Sequence, residues 1–203
     1  MKRMIILLAV ALFLPGCGDT STAPVNSDKY YESDLSIPEN LLKNLVTSYE
    51  RREIDQYSKL LAQDFTFKFQ PGPGADTFPD GLSLAQDVLF TGNMFKSDDV
   101  VEIRLGMIWG LPHDQIWLGE QVSRIQLIDL HLDVEKTGSL ILRVVGDPQD
   151  FYFRLGKETL GEDPSRYYIV GWQDVGSPSA PAGLSPAVES ITWGSIKRLF
   201  QRT

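Results

Sequence analysis

The chain has 203 residues, a formal net charge of −8, two histidines and a single cysteine. The acidic balance repels nucleic acid and gains nothing from an anionic membrane surface, and one cysteine allows neither an intramolecular disulfide nor a cysteine metal cluster. With 42 % hydrophobic residues, the composition supports one domain with its own core.

At the start, Lys2 and Arg3 precede an apolar run over residues 4–14. It is too short to span a bilayer and fits the hydrophobic part of a secretory signal. The run ends in Leu14, Pro15, Gly16 and Cys17, which resembles the bacterial lipoprotein lipobox: a leucine three before the cysteine, a small residue just before it, and the cysteine itself. The resemblance implies a signal peptide over residues 1–16, lipid on Cys17 and acylation of the new amino terminus. Several acyl chains of the palmitate kind anchor stably where one is marginal. Gly18 after the cysteine resembles outer-membrane sorting, on the periplasmic side, in a Gram-negative envelope. The plain structural reading of Cys17 is an unmodified thiol in a core. Residues 18–36 are rich in Ser, Thr, Asp and Asn without apolar period and read as a flexible tether.

The domain is expected over residues 37–176. Leu41, Leu42, Leu45, Val46 and Tyr49 recur at three- and four-residue spacing, a helix face, with Pro38 suited to the first turn and Ser36 placed to cap it. Glu50, Arg51, Arg52 and Glu53 break the pattern, and Ile54, Tyr57, Leu60 and Leu61 resume it in a shorter helix. From Asp64 the period is two: Phe65, Phe67 and Phe69 share one face of a strand. Residues 70–75 then read as a loop, without the Lys-Ser or Lys-Thr of a phosphate loop. Leu82, Ala85, Leu89 and Phe95 mark a third helix; Asp98 and Asp99 open a strand in which Val101, Ile103, Leu105, Met107 and Trp109 alternate with polar or small residues, and further strands follow over residues 122–135, 139–146, 151–157 and 167–175. Short turns between them predict an antiparallel meander.

Helix, helix, strand, helix and then a run of strands indicates α+β, with helices on one face of a sheet. At this point the chain resembles the NTF2-like superfamily in its SnoaL-like, or cystatin-like, cone form. The opening YERREIDQYSKLLAQDFTFKF and the closing strand RYYIVGWQDVG carry the likeness, and the ending ITWGSIKRLF resembles the tails of uncharacterised bacterial NTF2-like lipoproteins. The resemblance implies a curved antiparallel sheet with the N-terminal helices on its concave face and a cavity between them. Tyr49, Phe67, Phe69, Leu89, Trp109 and Trp172 are the candidates to line it. Aromatic residues at strand period also simply pack as a core.

Chemistry in such a cavity needs polar groups. The sequence has no GxSxG elbow and no HExxH pair, and no cofactor is expected. His113 lies in a loop-like Gly-Leu-Pro-His-Asp run. Asp129, His131 and Asp133 alternate along one strand, roughly 7 Å apart per step, so they are candidates to share a metal, or His131 to act as a base. Their face is open, because Ile125 and Leu127 have the parity of His131 whereas Ile128, Leu130, Leu132 and Val134 have the other. A β-bulge between Leu127 and Ile128 would put the polar row outside; without one it reaches the cavity. Asp64 and Asp174 are the remaining acid-base candidates, each also explained as a turn or strand-end hydrogen-bonding group.

After a Pro-rich connector that begins at residue 177, Trp193, Ile196, Leu199 and Phe200 lie on one side of a short helix, with Lys197, Arg198 and Arg202 on a solvated side. Too short to be stable alone, the helix is expected to dock on the domain or on a second copy. The sequence thus points to a lipid-anchored envelope domain that binds a small apolar ligand or a protein partner, homodimerisation included. The rival readings are an isomerase- or cyclase-like enzyme acting on a hydrophobic substrate, and a structural domain with a filled cone.

Overall fold

The structure, a computed structural model, describes residues 27–69, 73–145, 148–175 and 188–201. Residues 1–16, expected to be a signal peptide, Cys17 and most of the Pro-rich connector lie outside the described residues.

The described chain opens in a 3₁₀ turn, Ser27–Tyr30. Residues 31–35 pack on the domain rather than running free as a tether. The Glu32 N–H donates to Asn44 Oδ1 at 2.7 Å, and Asn44 Nδ2 returns a bond to the Glu32 carbonyl at 3.0 Å. A buried asparagine is thereby satisfied, which fixes the segment. Helix α1 (Pro38–Arg51) buries Leu41, Leu42, Leu45 and Tyr49. Its N-cap is Ile37 rather than Ser36, whose hydroxyl turns to Asp34 at 2.6 Å. The charged break after α1 is a joint: Arg52 takes a left-handed conformation (φ 58°) and donates to the carbonyls of Phe95, Ser97 and Val100 at 2.5, 3.0 and 2.9 Å.

Helix α2 (Ile54–Leu60) runs directly into strand β1 (Leu61–Lys68), so Leu61 belongs to the strand and not to the helix. Part of the expected loop is a five-residue helix, α3 (Pro73–Thr77). Strand β2 (Leu82–Ser83) pairs Leu82 with Phe67, which delays α4 to Leu84–Lys96. The buried face of α4 is Asp87, Phe90, Thr91, Met94 and Phe95; Ala85 and Leu89 of the predicted stripe face solvent.

Seven strands remain: β3 (Val100–Trp109), β4 (His113–Trp117), β5 (Glu120–Lys136), β6 (Leu140–Val145), β7 (Gln149–Leu155), β8 (Tyr167–Asp174) and β9 (Val188–Ser190), followed by helix α5 (Trp193–Leu199). Strand β4 escapes a reading by alternation because all its residues but Trp117 are exposed, and it contains His113, expected in a loop. The sheet runs β2-β1-β8-β7-β5-β6-β9, with β3 and β4 on the other edge of β5. It is mixed rather than an antiparallel meander, since β1 lies parallel to β8 and β9 parallel to β6.

The 17-residue β5 is the spine, pairing with β4 and β7 in its first half and with β3 and β6 in its second. Between the halves Ile108 pairs with Asp129 but Trp109 with Leu127, leaving Ile128 as the extra residue of a bulge. A bulge bends its strand and raises local twist. Leu127, Leu130, Leu132 and Val134 therefore all face the concave core, while Ile128 is 70 % exposed, against its sequence assignment to the buried face. On the convex side Trp117 stacks on Tyr152 with ring centroids 4.0 Å apart and lies across Gly171, where a Cβ would meet the indole at 2.5 Å.

Candidate functional site

The concave side of the sheet and helices α1, α2 and α4 enclose an interior made of aromatic rings. Tyr49 meets Tyr57 and Phe95 edge-on at 5.6 and 5.2 Å between centroids, and Trp172 meets Phe67 at 5.4 Å and Phe151 at 4.5 Å. The ring between these two groups is Trp193, supplied by α5, 4.7 Å from Trp172 and 6.1 Å from Tyr49. Helix α5 is held in place by several short devices. Strand β9 pairs with β6, the Thr192 hydroxyl accepts the Ser195 N–H at 3.1 Å as an N-cap, and Asn93 Nδ2 donates to the Phe200 carbonyl at 2.8 Å. Trp193, Ile196 and Phe200 are buried, whereas Leu199, expected on the docking side, is 54 % exposed.

Lys197 reverses its sequence assignment most sharply, because it is buried instead of solvated. It lies four residues after Trp193, and i and i+4 share a helix face. Its ammonium donates to Asp87 Oδ1 at 2.6 Å and to Thr91 Oγ1 at 2.8 Å, while the Tyr57 hydroxyl donates to Asp87 Oδ2. The rings of Tyr57, Phe67 and Trp172 lie 5.9, 5.7 and 5.7 Å from the same nitrogen. Burial pulls the lysine pKa down, and the charges of Asp87 and Tyr49 together with the hydrogen bonding around the ammonium more than offset it, so the ammonium form is held above its ordinary range. Burial and then the Asp87 charge push Tyr57 far up, which keeps that phenol a donor. Tyr49 is raised by burial against the opposing field of Lys197, and its hydroxyl is buried with no hydrogen-bond partner among the described residues.

A second polar chain crosses the interior. Trp172 Nε1 donates to Gln149 Oε1 at 2.8 Å, and Gln149 Nε2 donates to Asp174 Oδ1 at 2.7 Å. Asp174 thus lies inside the cone as a hydrogen-bond acceptor.

The other sequence candidates are dispersed. Tyr49, Phe67 and Trp172 are fully buried, and Phe69 and Trp109 pack half-buried against the core. Leu89 is 55 % exposed on the outer face of α4 and lines nothing inside. Asp64 lies within β1, not before it, and accepts from Arg154 Nη2 at 2.6 Å at the outside of the sheet. The same arginine pairs with buried Glu162 at 2.5 Å. Burial pushes that carboxyl up, but Arg154 and the N–H groups of Gln63 and Lys157 win and hold it below its ordinary range.

The Asp129, His131 and Asp133 row is on the convex face, as the bulge requires. The His131 ring lies across Gly106, Asp129 is exposed, and Asp133 is bound by Arg143 at 2.6 and 2.5 Å. The three do not converge, and no group of three or more metal-ligating side chains occurs among the described residues. His113 is also exposed, within reach of Arg124 at 3.2 Å. The residues that do converge, Asp87, Lys197, Tyr57 and Thr91, were absent from the sequence candidates. Their signal was positional: Asp87 and Thr91 fall at i and i+4 on the apolar stripe of Phe90, Met94 and Phe95.

A helix, helix, strand opening and a curled sheet wrapped around helices make this an α+β cone of the NTF2-like type. No protein-family model and no curated protein matches the sequence. Among solved structures, the chain is similar to a conserved protein from Planctomyces limnophilus, with 11 % identity and a TM-score of 0.49 over 70 % of this chain and 94 % of that one. It is also similar to an NTF2-like superfamily protein from Salmonella enterica serovar Typhimurium, at 10 % identity and a TM-score of 0.45 over 71 % and 92 %. A domain of unknown function with a cystatin-like fold from Nostoc punctiforme matches at 11 % identity and a TM-score of 0.44 over 69 % and 75 %.

Removing one partner of a buried ion pair strands the other charge, at a cost of about 3–5 kcal/mol, whereas an apolar pair of similar volume is tolerated. Lys197→Met is therefore expected to lower stability in urea denaturation by that order. Asp87→Leu combined with Lys197→Met should lose less than the single lysine variant. Additive losses would show that the two side chains are not coupled.

Proposed function

We propose that the protein is a non-catalytic binding domain of the cell envelope, held at a membrane by lipid on Cys17, whose cone accepts a small and largely apolar ligand. The observation that carries this reading is the interior itself, a continuous set of rings around one ion pair. Of the two acids buried in the cone, Asp87 is already neutralised by Lys197 and accepts from Tyr57, and Asp174 accepts from Gln149; both histidines lie on the sheet's outside. The interior is thus built to hold an apolar body rather than to take a proton. An isomerase- or cyclase-type reaction would first require Asp87 to be released from Lys197. The lipobox residues Leu14, Gly16 and Cys17 support the anchor, and the acidic net charge is consistent with attachment through lipid rather than through a basic surface.

Two outcomes test the reading. Cys17→Ala is expected to move the protein from the membrane fraction to the soluble fraction of the cell, and retention in the membrane would contradict the anchor. Trp193→Ala empties part of the cone. Native mass spectrometry of this variant, extracted gently in detergent, should show a noncovalent mass that is weaker or missing in the wild type. A clean apo mass for both would remove the ligand-binding reading.

A further inference from the structure

The groups around Lys197 Nζ are those that suit an ammonium ion. A fully buried carboxylate at 2.6 Å and a threonine hydroxyl at 2.8 Å take the N–H donors. Three aromatic rings at 5.7 to 5.9 Å surround the charge. Rings within about 6 Å of a cation attract it through their quadrupole, more strongly in a desolvated site. Tyr57 donates to the far oxygen of Asp87 and so holds the carboxylate in place. One further polar atom that α5 does not supply, the Tyr49 hydroxyl, is buried there without a hydrogen-bond partner among the described residues. Such an orphan is costly in a packed core, and it gives the interior hydrogen-bonding capacity that its present contents leave unused.

We propose that the cone is a binding site for a hydrophobic amine, and that α5 is a tethered occupant which presents the same chemistry in cis. Resting on the binding-domain reading above, this names the ligand class. One turn of α5 delivers an indole ring from Trp193 and an ammonium from Lys197 into the site, the pattern of an arylalkylamine. The helix has seven residues, too few to persist without its contacts, and its withdrawal gives up the pairing of the three-residue β9 at the sheet edge, the Asn93 bond to the Phe200 carbonyl and the burial of Trp193, Ile196 and Phe200, contacts that a guest of similar shape replaces in part. A free amine that reproduces the ring and the charge takes over the contacts of Asp87, Thr91 and the three rings. The ligand has to carry its charge, because a neutral guest would leave the Asp87 carboxylate buried and unpaired.

The test uses the intact chain in detergent and tryptamine as the probe, with the neutral analogue tryptophol and the anionic analogue indole-3-propionate as controls. In calorimetric titration, Trp193→Ala combined with Lys197→Ala is expected to bind tryptamine at least tenfold more tightly than wild type, because the tethered competitor is gone. The same variant should prefer tryptamine to tryptophol by at least tenfold, and adding Asp87→Asn should abolish that preference. In the wild-type protein, saturating tryptamine should accelerate amide hydrogen exchange over residues 193–200 while tryptophol does not, a readout independent of whether the double variant folds. Equal binding of tryptamine and tryptophol would overturn the ammonium assignment and leave the binding-domain reading intact. Binding of none of the three probes, together with α5 exchanging only when the whole domain unfolds, would overturn both.

Discussion

The buried pair of Asp87 and Lys197 is the constraint on which the interior depends. Neither group is tolerable in a desolvated interior by itself, since an unpaired buried charge costs several kcal/mol. Asp87 on α4 therefore requires α5 or another cation, and α5 has no other way to bury Lys197. The apolar side of α5 would accept small slides against the cone, because Trp193, Ile196 and Phe200 make non-directional contacts. The lysine, bonded to both Asp87 and Thr91, fixes one register.

That interior exists because β5 bends. Seventeen residues of unbent strand would not curl the sheet around helices and rings on one side. The extra residue at Ile128 turns the strand between two sets of partners, β7 before it and β6 after it. It also puts Leu127 and Leu130 on the same face, so both halves contribute to one core. By the same step it sends Asp129, His131 and Asp133 outward, where an exposed histidine and an arginine-bound aspartate do structural work. The bulge thus decides which polar groups belong to the cone.

Much of the fold was legible from the period of the apolar residues. The face of α1, the Phe65 and Phe67 side of β1 and the long strands are all visible as three-and-four or two-residue spacing, and the conflict of parity at Leu127 and Ile128 pointed to the bulge. Elements without such a period were lost: β4 is exposed along nearly its whole length, and β9 is three residues after a Pro-rich run. The face of α4 was misread because Leu82, Ala85 and Leu89 outweighed a stripe that contains an aspartate. The site failed for the same reason. Asp87 and Lys197 are charged residues, normally solvated, and each is buried only because the other arrives from a position 110 residues away. Local pattern carries no trace of such a pairing.

Helix α5 lies inside the cone, and proton NMR reports that contact most directly. Nuclear Overhauser spectra of the protein in detergent are predicted to show cross-peaks from the Trp193 indole to the rings of Tyr49 and Trp172, with the Trp193 protons shifted by those rings. Sharp Trp193 signals at free-tryptophan positions, with no contact to either ring, would contradict it.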